Sequence, residues 1–130
     1  MPTARTQVAT EISTLATAVQ NHFRVDVRNE GAASVLALSG ELDLSSSPQL
    51  EQELDRALQE GTSQLIVDLR ELEFMDSTGL SVLVKAHQRV QEAGVQFAVV
   101  KGSAQVQRLL SLTGVADRIT VADTPEELLS

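Results

Sequence analysis

The pattern of apolar and polar positions divides the chain at about residue 23. Residues 1–22 are rich in Thr and Ala, and their larger apolar residues recur at helical spacing: Val8, Ile12, Leu15 and Val19. From Phe23 onward, apolar residues alternate with charged ones, as in a half-buried strand. We therefore predict an N-terminal extension over residues 1–22, either a marginal helix or a disordered segment, and one folded domain over residues 23–130.

The pattern of this domain predicts alternating strands and helices. Short strands are indicated by alternating or continuous apolar residues at 23–28, 34–39, 64–69, 95–100 and 119–121. A turn containing Gly31 joins the first two strands into a hairpin. Helices are predicted to follow four polar segments: Ser47, residues 76–79, Ser103 and Thr124. The order β-β-α-β-α-β-α-β-α indicates an α/β fold with a mixed, mostly parallel sheet, an N-terminal hairpin and about four helices.

The first helix has several start signals. Ser47 is a good N-cap, Pro48 suits the first helical position, and Glu51 complements the helix dipole. We therefore place the N-cap of this helix at Ser47.

Composition narrows the classes of function. The 130 residues carry 10 basic and 18 acidic side chains, a formal net charge of −8. Nucleic acids and anionic membrane surfaces are bound mainly through Lys and Arg, so both are disfavoured as partners. A protein with a basic patch is favoured, because opposite charges speed the encounter. The chain has no cysteine, no apolar run near the ~18 residues of a membrane helix and no secretion signal, so we expect a cytoplasmic protein.

The stretch Asp76-Ser77-Thr78-Gly79-Leu80 is the main candidate for chemistry. It follows an apolar strand and begins a helix, so Ser77 is predicted at or beside the N-cap. The unpaired N–H groups and the positive dipole at a helix N-terminus accommodate a phosphate. Gly79 is expected to leave the first turn open to the backbone of another protein. Ordinary capping also places Ser or Asp before a helix, so these residues by themselves leave a phosphorylation site and a simple cap open.

Two segments resemble the motifs of a known family. Phe74-Met75-Asp76-Ser77-Thr78-Gly79-Leu80 resembles the signature of STAS-domain anti-sigma factor antagonists, in which the Ser directly after the Asp is phosphorylated. Gly40-Glu41-Leu42-Asp43, which closes the second strand, resembles the second characteristic element of that family. The spacing of the motifs and the order of elements also match, and the resemblance covers about residues 23–129. It implies a single STAS-like α/β domain.

The resemblance implies roles for five residues. Ser77 would be the phosphoacceptor, with Thr78 as second choice. Asp76 would help to shape the surface that the kinase contacts, and Asp43 would lie on the same edge and contribute to partner binding. Gly79 completes the expected partner-binding set. Without the resemblance, Asp43 is typical of a solvated turn residue.

The resemblance also implies the partners. In the family, the unphosphorylated protein binds an anti-sigma factor, often a Ser kinase of the GHKL ATPase type, and so frees the sigma factor. Phosphorylation of the Ser dissociates the complex, and a metal-dependent Ser phosphatase restores the first state. STAS domains also serve in lipid-transport complexes and stress-sensing assemblies, but the Asp-Ser pair favours the phosphorylation switch. We expect a monomer or a weak dimer.

An enzyme is disfavoured by the surroundings of Ser77 in the sequence. A nucleophilic Ser needs a base, but His87 lies ten residues along the same predicted helix, about 15 Å away. His22 lies in the extension. The sequence has no Gly-x-Ser-x-Gly elbow, no glycine motif for nucleotides and no cluster of metal ligands. We therefore expect no catalytic residue, no metal and no cofactor.

Overall fold

Five strands and four α-helices alternate along residues 23–129, the part of the chain that this computed structural model describes. The strands are β1 (Arg24–Glu30), β2 (Ala33–Leu42), β3 (Gln64–Met75), β4 (Gln96–Val100) and β5 (Thr120–Ala122). The helices are α1 (Ser47–Gln59), α2 (Ser77–Glu92), α3 (Ala104–Leu112) and α4 (Pro125–Leu129), with a 3₁₀ turn at Val115–Asp117. Both alternatives for residues 1–22, a marginal helix or a disordered segment, lie outside the described residues.

The strands form a mixed sheet in the order β1-β2-β3-β4-β5. β1 is antiparallel to β2, and the three later pairs are parallel. The hairpin turns at Gly31, whose φ of 62° lies in the left-handed region that glycine adopts without strain. Parallel neighbours need a crossover connection, which α1, α2 and α3 supply. The predicted α/β fold with an N-terminal hairpin is confirmed.

The main hydrophobic core lies between one face of the sheet and helices α1 to α3. Alternate residues of the central strands enter it, because successive side chains of a strand point to opposite faces. Its buried members include Leu36 and Leu38 of β2, Leu65 and Val67 of β3, Phe97 and Val99 of β4, Leu50 of α1, Leu83 of α2 and Val106 of α3. On the other face, Leu128 and Leu129 of α4 pack against a smaller cluster of Val35, Ile66 and Val100. The carboxyl ends of β2 and β3 lead directly from the main core into the two candidate motifs.

The N-cap of α1 is Ser46, not Ser47 as predicted. The Ser46 side chain makes no capping bond, and its Oγ instead donates to the carbonyl oxygen of Glu41 at 2.8 Å. Ser47 is the first helical residue, and its Oγ donates to the carbonyl oxygen of Asp43 at 2.6 Å. The prediction was wrong by one residue because the consecutive serines at 45–47 offer similar caps in the sequence. The turn that begins at Asp43 decides between them.

β3 continues to Met75, well past the predicted end at residue 69. Its register with β2 shifts twice, first between Asp68 and Glu71 and again between Leu72 and Phe74. Each shift adds one residue to β3, as a β-bulge does. Three buried residues therefore enter the main core at a spacing of three: Leu69, Leu72 and Met75. This spacing breaks the period-two alternation that indicates a strand, so the sequence prediction ended β3 too early.

An ion pair lies at the first register shift. Asp68 is 5% exposed, and its Oδ1 and Oδ2 accept hydrogen bonds from Nε and Nη2 of Arg70 at 3.0 and 2.8 Å. Oδ1 also accepts the backbone N–H of Arg70 at 3.0 Å. Hydrogen bonding to this carboxylate raises the pKa of Arg70. The pair thus satisfies a buried charge together with a backbone donor beside the shift.

We expect Leu72→Ala to lower the free energy of unfolding by about 2–5 kcal/mol, because it removes a buried side chain from the bulged half of β3. Glu73→Ala, at the exposed neighbouring position, should change it by less than ~0.5 kcal/mol. Chemical denaturation of the two variants tests the register. Equal losses, or a larger loss in Glu73→Ala, would contradict the spacing of three.

Candidate functional site at the carboxyl edge of the central strands

β2 and β3 end side by side, and the two candidate motifs follow at the same edge of the sheet. The last residues of the strands, Leu42 and Met75, are register partners. The next backbone N–H, that of Asp76, donates to the carbonyl oxygen of Leu42 at 3.3 Å. Since neighbouring strands lie about 4.8 Å apart, the chain enters Asp43 and Asp76 from adjacent positions. The structure therefore brings the two motifs together.

Asp76 is the N-cap of α2. Its Oδ1 accepts the backbone N–H of Gly79 at 2.9 Å, and its carbonyl oxygen accepts that of Leu80 at 3.0 Å. The carboxylate also lies at the positive end of the helix dipole, where a negative charge is stabilising. Asp76 thus supplies the cap that the sequence left open between Asp76 and Ser77.

Ser77 is the first residue of α2, and it is exposed. Its hydroxyl makes no hydrogen bond with any other residue in the described range 23–129, whereas the neighbouring carboxylate of Asp76 bonds to Gly79. Thr78, the second candidate, is half-buried, so Ser77 presents the more accessible hydroxyl of the two. Because Asp76 holds the helix end, α2 does not depend on the Ser77 hydroxyl as a cap.

Gly79 has a different role from the predicted one. It is buried, and a Cβ added to it would lie 2.5 Å from the carbonyl oxygen of Leu42 and 3.0 Å from Cγ of Met75. Gly79 therefore allows α2 to begin directly against the ends of β2 and β3. The prediction that Gly79 opens the first turn to a partner backbone is wrong, because the side-chain position at 79 points into the protein.

Asp43 organises the turn between β2 and α1. Its Oδ1 accepts the backbone N–H groups of Ser45 and Ser46 at 3.0 and 3.2 Å, and the hydroxyl of Ser45 at 2.8 Å. Its carbonyl oxygen accepts the backbone N–H of Ser47 at 3.0 Å. These bonds, led by that from the Ser45 hydroxyl, lower the pKa of Asp43 against the opposing effect of its partial burial. Asp43 is thus more than a solvated turn residue, since it fixes the chain that enters α1.

Two exposed apolar residues at this edge were missed in the sequence. Leu44, in the turn after Asp43, is 75% exposed, and Phe74, just before Met75, is 42% exposed. Phe74 is the register partner of Glu41, and both residues point away from the main core because Leu42 and Met75 point into it. The sequence carries no signal for this exposure, since the bulges of β3 decide which way Phe74 points. The edge that contains Ser77 therefore also offers apolar contact.

The surroundings of Ser77 are acidic. Four carboxylate residues lie at the ends of β2 and β3: Glu41, Asp43, Glu73 and Asp76. Within residues 23–129, none of these four forms an ion pair. This local charge has the same sign as the net charge of −8 and favours a partner with basic groups.

Comparison with known protein families identifies the domain that carries this site. A family model described as the STAS domain matches residues 24–128. The chain belongs to the STAS domain family. The resemblance seen in the two motifs is confirmed.

Proteins similar to this STAS chain are named as antagonists of anti-sigma factors. The anti-sigma F factor antagonist of Paenibacillus polymyxa is 26% identical over 110 residues, which cover 84% of this chain and 94% of the relative. The anti-sigma-B factor antagonist of Staphylococcus aureus (strain NCTC 8325 / PS 47) is 32% identical over 89 residues, 68% of this chain and 82% of the relative. The crystal structure of an anti-sigma factor antagonist from Mycobacterium paratuberculosis superposes with a TM-score of 0.75 at 27% identity, covering 82% of this chain and 91% of that chain.

The names of these relatives describe antagonists of anti-sigma factors, which agrees with the prediction that the STAS chain is not an enzyme. His87 packs against Phe97, with ring centroids 5.6 Å apart, and ten residues of helix separate it from Ser77, about 15 Å. His22 lies outside the described residues. Residues 23–129 contain no group of three or more potential metal ligands. Within the same residues, no helix has the length and apolar character needed to span a membrane.

We expect Gly79→Ala to destabilise the STAS domain by about 1–3 kcal/mol, because the added methyl group would overlap the backbone of Leu42. Ser81→Ala, at an exposed position of the same helix, is the control and should be neutral within ~0.5 kcal/mol. Urea denaturation compares the free energies of unfolding. A neutral Gly79→Ala would be incompatible with the close approach of α2 to β2.

The lowered pKa of Asp43 predicts a pH-dependent contribution to stability. This contribution is complete above the ordinary pKa of 3.8 and is lost as the pH falls below it, through the lower pKa of the folded protein. We expect Asp43→Asn to lower the free energy of unfolding at neutral pH by about 0.5–1.5 kcal/mol, and this difference to shrink in strong acid.

Denaturation of wild type and Asp43→Asn at a series of pH values measures this difference. Asp117→Asn, at an exposed position of the 3₁₀ turn, is the control for the loss of one negative charge. A difference for Asp43→Asn that stays constant from neutral pH to well below 3.8 would exclude the carboxylate as its source.

Proposed function

We propose that this STAS protein is an anti-sigma factor antagonist whose partner binding is controlled by phosphorylation of Ser77. In its unphosphorylated form it binds an anti-sigma factor, a Ser kinase of the GHKL ATPase type, and the sigma factor is released. The kinase phosphorylates Ser77 and the complex dissociates, and a Ser phosphatase then restores the binding form. The names of the relatives from P. polymyxa and S. aureus support an anti-sigma factor as the partner.

The proposal includes a domain boundary and a location. The STAS domain would occupy residues 23–130, after an extension of residues 1–22, and the family match from residue 24 supports this division. The protein would act in the cytoplasm, where sigma factors bind RNA polymerase.

Asp76 and Ser77 have different roles at the start of α2, and this difference is the main support for the proposal. Asp76 caps α2, and the exposed Ser77 is not needed as a cap. A Ser that caps its own helix would lose a stabilising interaction when modified. A phosphate on Ser77 would instead lie at the N-terminus of a 16-residue helix, where backbone N–H groups and the dipole accommodate it. This favours phosphorylation with little change in the fold.

Charge and desolvation explain why a phosphate would end partner binding. It adds about −1.5 to −2 charges at neutral pH, directly beside Asp76 and near Asp43. A partner seated over Ser77 would also approach the exposed Leu44 and Phe74. Burying a phosphate against such apolar side chains costs desolvation free energy. The unmodified hydroxyl carries no such cost.

The experiment is a pull-down from lysate of the native host, with Ser77→Ala and Ser77→Glu as baits. We expect Ser77→Ala to retain an ATPase-type anti-sigma factor and Ser77→Glu to retain at least about tenfold less, because the added carboxylate brings a negative charge and its desolvation cost to the interface. With ATP, the recovered factor should phosphorylate wild type and the matched control Thr78→Ala, but not Ser77→Ala. Mass spectrometry identifies the modified residue.

Backbone amide spectra of Ser77→Glu should match those of wild type away from residue 77, which shows that lost binding is not lost folding. Equal retention of the same proteins by both baits would overturn the phosphorylation switch. That result would favour a STAS subunit of a stress-sensing or lipid-transport assembly, with contacts that do not depend on Ser77.

A further inference from the structure

The second half of β3 has a strand neighbour on one side only. β4 pairs with β3 from Gln64 to Asp68, whereas β2 pairs with it as far as Met75. Beyond Asp68, no strand within residues 23–129 borders the edge of β3 that faces away from β2. Unpaired backbone groups at such an edge are costly when they are buried, and Met75 is fully buried. The end of this edge therefore needs another partner.

Gln105 of α3 supplies that partner. Its Oε1 accepts the backbone N–H of Met75 at 3.1 Å, and its Nε2 donates to the carbonyl oxygen of Met75 at 2.9 Å. A residue of an antiparallel neighbouring strand would exchange the same two bonds. The carboxamide of Gln105 thus takes the place of a strand residue at the end of β3, and both of its polar atoms are used.

α3 is itself held close to β3, so the backbone of Gln105 has a fixed position relative to Met75. The loop between β4 and α3 passes β3 at Gly102, where an added Cβ would lie 2.6 Å from the carbonyl oxygen of Leu69. The N–H of Gly102 donates to Oε1 of Gln107 at 2.9 Å, and Ser103 is the N-cap of α3. These contacts hold in place the first turn of α3, which carries Gln105.

We propose that Gln105 is a positioning residue for the Ser77 site. Met75 is followed directly by Asp76, the cap of α2, and then by Ser77. By bonding to both backbone groups of Met75, Gln105 fixes the junction at which β3 ends and α2 begins. The consequence for partner binding rests on the proposed function, whereas the effect on the junction does not.

Loss of the two bonds should loosen the junction without unfolding the domain. Gln105 is an exposed residue, so replacing it leaves the buried core intact. The backbone of Met75 would lose its partner on one side, and the first turn of α2 would open more often. A partner that binds at Ser77 would then have to order this turn, which weakens binding.

The first test measures amide hydrogen exchange in the full chain for Gln105→Met, with Gln91→Met as the matched control. Met has a similar length without the carboxamide, and Gln91 is an exposed glutamine in the last turn of α2. We expect Gln105→Met to speed exchange at Met75 and Gly79 roughly tenfold, the equivalent of one or two ordinary hydrogen bonds. Core amides such as that of Leu83, and every rate in Gln91→Met, should stay as in wild type.

A conservative variant separates the two bonds. Gln105→Glu keeps an acceptor for the N–H of Met75 but loses the donor to its carbonyl oxygen. It should therefore restore part of the protection at the Met75 amide. A purely space-filling role of the side chain would give no difference between Gln105→Glu and Gln105→Met.

The second test measures the affinity of the anti-sigma factor recovered with Ser77→Ala. We expect it to be roughly tenfold weaker for Gln105→Met than for wild type, and unchanged for Gln91→Met. The positioning role is overturned by unchanged exchange at Met75 and Gly79, by an equal rise at core amides, or by faster exchange with unaltered affinity. If no anti-sigma factor is recovered, the proposed function fails, and the exchange rates decide whether Gln105 holds the junction.

Discussion

The parallel pairing of β2 with β3 as far as Leu42 and Met75 is the constraint on which the site depends. Because of this pairing, the two strands end next to each other, and the chain leaves the sheet at the neighbouring residues Asp43 and Asp76. The bond from the Asp76 N–H to the Leu42 carbonyl oxygen closes this contact, and the absence of a side chain at Gly79 lets α2 begin directly against it. The two bulges of β3 are what bring its longer path into step with β2. The acidic and apolar surface around Ser77 follows from this meeting of strand ends.

The residues around Ser77, and not Ser77 itself, make the hydrogen bonds that stabilise this edge of the sheet. Asp76 caps α2, Asp43 holds the turn before α1, and Gln105 bonds to both backbone groups of Met75. Each satisfies backbone groups that the end of a strand or helix leaves without a partner. A modification of the neighbouring Ser77 would change the charge of the surface, while the hydrogen bonds that stabilise the fold would remain. The proposed switch at Ser77 uses this separation, because a phosphate there would change the surface charge without removing a contact that stabilises the fold.

Much of the fold was predictable, because it depends on short-range patterns. The order of strands and helices follows from apolar periodicity, and the hairpin follows from a glycine between two apolar runs. The predictions failed where a contact distant in sequence overrides the local pattern. β3 was cut short because its register with β2 spaces Leu69, Leu72 and Met75 by three. The side-chain position of Gly79 was assigned to the surface because its contact with Leu42 cannot be seen from the neighbouring residues.

By itself, the sequence determined the α/β fold, the acidic character of the chain and the place of Ser77 at the start of a helix. These properties depend on the composition and on residues close together in the chain. Only the tertiary structure decided that Leu44 and Phe74 are exposed and that Gln105, 30 residues away, bonds to Met75. The physical reason is that exposure and edge pairing depend on which segments meet in space. The contacts between these segments depend on the register of β2 and β3 and on the path of the chain over the sheet. Neither can be read from a local sequence pattern.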